Sequence, residues 1–188
     1  MVLILDNYDS FTYNLYQCAG AIISDIAVRF SDQIQIVDIE ELQPSHIIVS
    51  SGPGKPKDTG ICSEAVRRFA GLIPILGICL GHLIICETFG SQIHLAKEIK
   101  HGKKSTVHIA NGNPIFRGLA PILEAGRYHS FVADRDSLPD ELLVIAETGD
   151  GDIMGVKHHD FDVFGLQFNP ESILTQNGEQ IIENFLLI

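Results

Sequence analysis

The chain has 188 residues, 45% of them hydrophobic and 20% charged, with a formal net charge of −11. That length suffices for one domain with its own core, and the balance is globular, with no disordered or low-complexity tract. The acidic excess argues against a nucleic-acid backbone or an anionic membrane as partner. The opening Met1-Val2-Leu3-Ile4-Leu5-Asp6 has no basic segment and soon reaches an acidic residue, so it predicts neither a secretory signal nor a membrane span. The cysteines Cys18, Cys62, Cys79 and Cys86 form no C-x-x-C pair and do not cluster with histidine. The pattern speaks for neither disulfides nor zinc, and a reducing cytoplasm fits it.

Residues 2–5 are wholly apolar and predict a strand buried in a parallel sheet. Asp9 or Ser10 can cap the helix that follows, with Phe11, Asn14, Leu15 and Cys18 at helical spacing and Gly20 at its end. Residues 26–30 predict a second strand, 39–42 a helical turn before Pro44, and 46–50 a third strand. That strand runs into Ser51-Gly52-Pro53-Gly54-Lys55-Pro56. Such a loop can turn backbone N–H groups into a cavity, as an oxyanion site requires, or be no more than a tight exit from the strand. Residues 61–70 predict an amphipathic helix, followed by an apolar strand at 74–76 and an apolar helix at 82–89.

This alternation predicts a single α/β domain over residues 1–188, with a mostly parallel, doubly wound, flavodoxin-like sheet that puts ligands at the carboxyl ends of its strands. Gly52-Pro53-Gly54 and Cys79 both fall at such ends. From Ser91 the pattern changes to short strand-like runs at 91–96, 105–110, 128–133, 142–147, 153–157 and 163–168, with a last helix at 178–188. The second half is expected to form an antiparallel extension on the same sheet.

The stretch Gly77-Ile78-Cys79-Leu80-Gly81 has the form of a nucleophile elbow with a thiol in place of the usual serine hydroxyl. A strand that must become a helix within one or two residues strains the residue at the bend, and glycines on either side relieve the crowding. Cys79 then stands at the N-terminus of a helix, where the helix dipole is expected to favour thiolate over thiol. A buried, inert cysteine is the plainer alternative. After the strand Phe164-Gly165-Leu166-Gln167-Phe168 comes the turn Asn169-Pro170-Glu171-Ser172. A cysteine hydrolase needs a base and a carboxylate to orient it. Glu171 suits the orienting role, but the Asn169 amide has no nitrogen that accepts a proton near neutral pH.

The motifs extend over the whole length. They begin with Leu5-Asp6-Asn7-Tyr8-Asp9-Ser10-Phe11-Thr12-Tyr13-Asn14, Ser51-Gly52-Pro53-Gly54 and Gly77-Ile78-Cys79-Leu80-Gly81-His82. They continue with His101-Gly102-Lys103, Arg127-Tyr128-His129-Ser130, Ile153-Met154-Gly155-Val156 and Pro170-Glu171-Ser172-Ile173-Leu174-Thr175. In these the chain resembles the class I (triad-type) glutamine amidotransferases, within them the small subunits of anthranilate synthase and aminodeoxychorismate synthase.

The resemblance implies that Cys79 attacks the side-chain amide of glutamine to give a glutamyl thioester and ammonia. It also implies that backbone N–H groups near Gly54 and of Leu80 hold the oxyanion. Glutamine binding is expected at Gly52, Pro53, Gly54, Leu80, Leu83, Ser130 and Phe131, with the catalytic positions at Cys79, Asn169 and Glu171. Ammonia would pass to a separate large subunit that adds it to chorismate, and neither a metal nor an organic cofactor is expected.

Four positions depart from the family pattern: Asn169 stands for the catalytic histidine, Leu83 for glutamine, Phe131 for leucine and Ser51 for proline. Leu83 lies one helical turn beyond Cys79, where it either joins Ile84 and Ile85 in the core or faces the substrate without a hydrogen bond to offer. Impaired glutaminase activity is therefore expected, and the rival reading is a non-catalytic regulatory or stabilising subunit. A thiol hydrolase acting on other γ-glutamyl compounds is a third, disfavoured by the opening block.

Overall fold

The computed structural model describes residues 1–188. Strands β1 (Val2–Asp6), β2 (Ile26–Phe30), β3 (His46–Val49) and β4 (Ile75–Ile78) alternate with helices α1 (Thr12–Gly20), α2 (Ile36–Leu42) and α3 (Cys62–Phe69). Helix α4 (Leu80–Thr88) follows β4 directly. Then come β5 (Ile93–Leu95), β6 (Lys103–Ile109), β7 (Ile122–Arg127), β8 (Phe131–Ala133), β9 (Leu142–Thr148), β10 (Ile153–His158) and β11 (Val163–Leu166), closed by α5 (Gly178–Leu186).

Nine strands form one sheet in the order β2-β1-β3-β4-β11-β10-β9-β6-β7. From β2 to β11 every pairing is parallel; from β11 to β7 every pairing is antiparallel. Both parts of the expected fold are therefore present, a doubly wound parallel half and an antiparallel extension of the same sheet. Because helices cover both faces of the parallel half, its strands are apolar on both sides. Val2, Ile4, Leu76, Ile78, Phe164 and Leu166 join one core with α1 and α5. Leu3, Leu5, Ile75 and Val163 join the other, with α2, α3 and α4. Helix α4 is buried from Leu80 to Cys86, which explains why its sequence carries almost no polar face. No helix is long and apolar enough to cross a membrane.

Three local expectations are corrected. Neither Asp9 nor Ser10 caps α1: Phe11 is its N-cap residue, without a side-chain bond. Asp6 instead gathers the turn, its Oδ1 accepting from the Asp9 N–H at 3.1 Å and the Thr12 hydroxyl at 2.8 Å. The second helix begins three residues earlier than expected, at Ile36, where Gln35 and Asp38 form a reciprocal capping pair. The run expected at 128–133 is a strand only from Phe131, and a strand that was not expected, β7, precedes it in a different sheet. Strand β7 ends at Arg127 in the main sheet, and β8 pairs only with β5 in a separate two-stranded ribbon. Strand β7 was concealed by Glu124, Ala125 and Gly126, residues with poor strand preference that its neighbour β6 nevertheless holds in register.

Candidate active site

Cys79 lies between β4 and α4 with φ 52° and ψ −97°, a left-handed conformation that costs a non-glycine residue roughly 1–3 kcal/mol. The bend is held from both directions: the Cys79 N–H donates to the Leu166 carbonyl at 2.7 Å and the Leu83 N–H to the Cys79 carbonyl at 3.2 Å. The flanking glycines are required by close approach. A Cβ on Gly77 would run into the Gly81 carbonyl, and one on Gly81 into the Val49 carbonyl of β3.

Opposite the elbow, the Gly52-Pro53-Gly54 loop is tied to the end of β1. The Asn7 N–H donates to Ser50 Oγ and the Asn7 amide to the Ser50 carbonyl, each at 3.0 Å. A Cβ on Gly52 would collide with Asn7, so this pair sets how near the loop comes to β1. Gly54 has φ 90°, open to glycine at no steric cost.

Between loop and elbow is a pocket of about 180 Å³ lined by Gly52, Pro53, Gly54, Cys79, Leu80 and Leu83, with Tyr128, His129, Ser130 and Phe131 on its far wall. All seven substrate-contact candidates thus meet around the sulfur. The volume falls below the roughly 300–1,000 Å³ usual for drug-sized ligands and suits a small one. Leu83 is only 3% exposed, so it both packs in the core and presents a purely apolar wall. Phe131 lies under the Lys55 ammonium, 5.3 Å from its ring centroid, which bridges the two walls. A larger cleft of about 780 Å³ lies between α1 and α5 on the other side of Glu171, but the elbow does not open into it.

The turn after β11 is clamped to β7. The Asn169 N–H donates to the Gly126 carbonyl at 3.1 Å, and the Thr175 hydroxyl donates to the Asn169 carbonyl at 2.6 Å while accepting from the Gly126 N–H at 2.9 Å. Asn169, 1% exposed, points its amide Nδ2 at Glu171 Oε1, 2.7 Å away, and more weakly at Ser51 Oγ, 3.4 Å away. Ser51 in turn donates to the Asp9 carboxylate. The Glu171 carboxyl therefore holds position 169 as an orienting acid holds a base, yet what it holds is a carboxamide. Asn169 Oδ1, Glu171 Oε2 and Gln167 Oε1 are all buried without a partner, a concentration of unmet polarity beside the nucleophile.

No other imidazole takes the missing role. His82 is fully buried against the Cys86 sulfur at 3.7 Å. His129 has both ring nitrogens engaged, with Arg127 Nε at 3.0 Å and the Phe131 carbonyl at 3.0 Å. His158 stacks on Phe161 at the other end of β11, as its place in the sequence implied.

The expectation of an activated thiolate is overturned. Burial, then the Glu171 and Asp9 carboxylates, push the Cys79 thiol up to about 12, against which the Leu80 N–H and the Gln167 amide, 3.9 Å from the sulfur, are too weak. A helix N-terminus alone cannot hold a thiolate in an acidic, dry surround. Iodoacetamide labelling of Cys79 should accordingly stay slow through pH 9 and still be rising at pH 10. A midpoint near the free-cysteine value of about 8.5 would contradict it. Glu171 is itself pushed up to about 7 by burial, opposed by the hydrogen bond from Asn169.

Several of these residues escaped the sequence reading in any functional role. Gln167, Asp9 and His129 lie in or beside recognisable blocks, but nothing in spacing shows that they act on the sulfur or line its pocket.

The class-I glutamine amidotransferase family model matches residues 3–188. The bifunctional protein TrpGD of Thermotoga maritima is 48% identical over the whole chain, which spans 32% of that protein's length. The aminodeoxychorismate/anthranilate synthase component 2 of Bacillus subtilis is 44% identical over 99% of this chain and 95% of its own. A putative GMP synthase subunit from Thermoplasma acidophilum superposes with a TM-score of 0.86 at 25% identity, over 98% of this chain and 91% of that one. With the family model reaching from the third residue to the last, the chain belongs to the class-I glutamine amidotransferases.

Proposed function

We propose that residues 1–188 work as one cytoplasmic glutamine amidotransferase domain, the glutamine-handling component of a chorismate-using synthase, and that Asn169 leaves its hydrolytic cycle slow. The observation that carries the reading is the strained Cys79 on the floor of a pocket walled by Gly52-Pro53-Gly54 and Ser130-Phe131. The Cys79 sulfur attacks the amide carbon of glutamine, and the carbonyl electron pair moves to oxygen, where the N–H groups of Leu80 and Gly54 receive it. Collapse breaks the carbon–nitrogen bond, and the nitrogen leaves as ammonia once it has taken a proton. Water then attacks the thioester, releasing glutamate and restoring the thiol. Ammonia passes to the large subunit, which adds it to chorismate.

Three proton movements in that cycle need a shuttle, from the thiol, to the departing nitrogen and from the attacking water, and Asn169 supplies none. That same carboxamide, 2.7 Å from Glu171, favours the rival reading of a non-catalytic partner that stabilises an ammonia-using synthase. Glutamate release by the isolated chain separates them. Slow release that disappears in Cys79→Ala is the expected result. No release, either from the chain or from its Asn169→His variant, would leave the stabilising role.

A further inference from the structure

Arg127 is the largest fully buried side chain, at 1% exposure, and the mechanism above does not use it. Its guanidinium pairs with Asp152 at 2.6 Å and reaches Ser105 Oγ at 3.4 Å. The remaining Nε–H donates to His129 Nε2 at 3.0 Å. A guanidinium never accepts, so His129 Nε2 must be the acceptor and the ring proton must lie on Nδ1. Nδ1 is 3.0 Å from the Phe131 carbonyl, which accepts that proton's hydrogen bond. The imidazole is thereby locked in one tautomer, 3% exposed, between an interior charge and a single main-chain carbonyl. Burial and the Arg127 charge push it down to about 4, so it stays neutral at ordinary pH.

Residues 128–130 bridge two sheets and belong to neither, since β7 ends at Arg127 and β8 begins at Phe131. From outside, the Lys100 and Ala96 N–H groups hold the His129 and Ser130 carbonyls at 3.1 and 2.8 Å. From inside, the grip on the Phe131 carbonyl comes from the His129 ring. Ser130 and Phe131, with Tyr128 and His129, form the pocket wall across from Cys79. We propose that His129, wedged between Arg127 and the Phe131 carbonyl, is the positioning residue that sets the glutamine-binding wall opposite Cys79. This inference rests on the glutamine reading above and adds to it a residue that need not touch the substrate.

Two variants separate the two hydrogen bonds. His129→Gln keeps an acceptor for Arg127 but gives up the donor to Phe131, and His129→Asn keeps a donor near Nδ1 but leaves Arg127 without its acceptor. The probe is the chloroketone analogue of glutamine, which alkylates Cys79 after binding in the pocket, compared with iodoacetamide, which alkylates it without binding. His129→Gln should raise the half-saturating chloroketone concentration about tenfold, the equivalent of one buried hydrogen bond, while the iodoacetamide rate stays within about twofold. His129→Asn should keep half-saturation within about threefold although it melts at a lower temperature, because a buried guanidinium has lost a partner.

Saturation by His129→Gln at the unsubstituted chain's concentration would overturn the proposal. So would losses in both variants that simply follow their melting temperatures. If the unsubstituted chain is labelled by iodoacetamide yet shows no saturation with the chloroketone, the glutamine reading falls, and the proposal falls with it.

Discussion

Asn169→His is expected to raise glutamate release from glutamine by about 10²–10⁴-fold, the usual worth of a positioned general base. The scaffold for the imidazole is already in place. Glu171 Oε1 now accepts a hydrogen bond from the Asn169 amide at 2.7 Å, and an imidazole N–H can take that place, leaving the second nitrogen to face Cys79. The gain has two sources. An imidazolium beside the sulfur opposes the burial and the carboxylates that hold the thiol near 12. The same group then carries the proton to the departing ammonia and later accepts one from water.

The rate should acquire an inflection from the new imidazole near the ordinary histidine range, about 6.5. Steady-state glutamate release across pH 5–10 measures both effects. Recovery that also requires Leu83→Gln would mean that the pocket has lost its fit to the substrate amide. Failure of both variants would support the stabilising-subunit reading.

Gly81→Ala should destabilise the fold by more than about 3 kcal/mol, a large part of the roughly 5–15 kcal/mol that a domain of this kind possesses. The added methyl would lie against the Val49 carbonyl and its Cβ, in backbone of β3, the middle strand of the parallel half, which has no room to withdraw. Gly77→Ala should be comparably costly, because its methyl meets the Gly81 carbonyl and Ile85 Cδ1. Gly112→Ala and Gly149→Ala serve as controls, since a methyl at either position meets nothing within 4 Å, and each should change stability by less than about 0.5 kcal/mol. Denaturant midpoints for the four variants provide the comparison. Equal midpoints for Gly81→Ala and Gly112→Ala would mean that the elbow is slack, and that Cys79 has no need of its strained dihedral.

Much of this was legible in the residues themselves. A run such as Val2-Leu3-Ile4-Leu5, apolar at every position, can be satisfied only between two layers of helices, so the parallel half followed from composition and rhythm. Gly77-Ile78-Cys79-Leu80-Gly81 declared its bend because glycine is required wherever two backbones touch. The amide at position 169 declared the lack of a base, since a carboxamide has no nitrogen that takes a proton near neutral pH.

What depended on distant parts of the chain was not legible. Strand β7 exists because β6 pairs with it, whatever the preferences of Glu124, Ala125 and Gly126. The helix dipole at Cys79 pointed towards thiolate, but burial first, and then Glu171 and Asp9, brought to the sulfur from opposite ends of the chain, reversed the sign. Arg127, His129 and Phe131 likewise read as three ordinary near neighbours until the fold buries the guanidinium and leaves the ring one donor and one acceptor to serve. Local geometry and the chemistry of single side chains are properties of the sequence. Burial, charge proximity and the pairing of polar atoms are sums over neighbours that only the folded chain assembles.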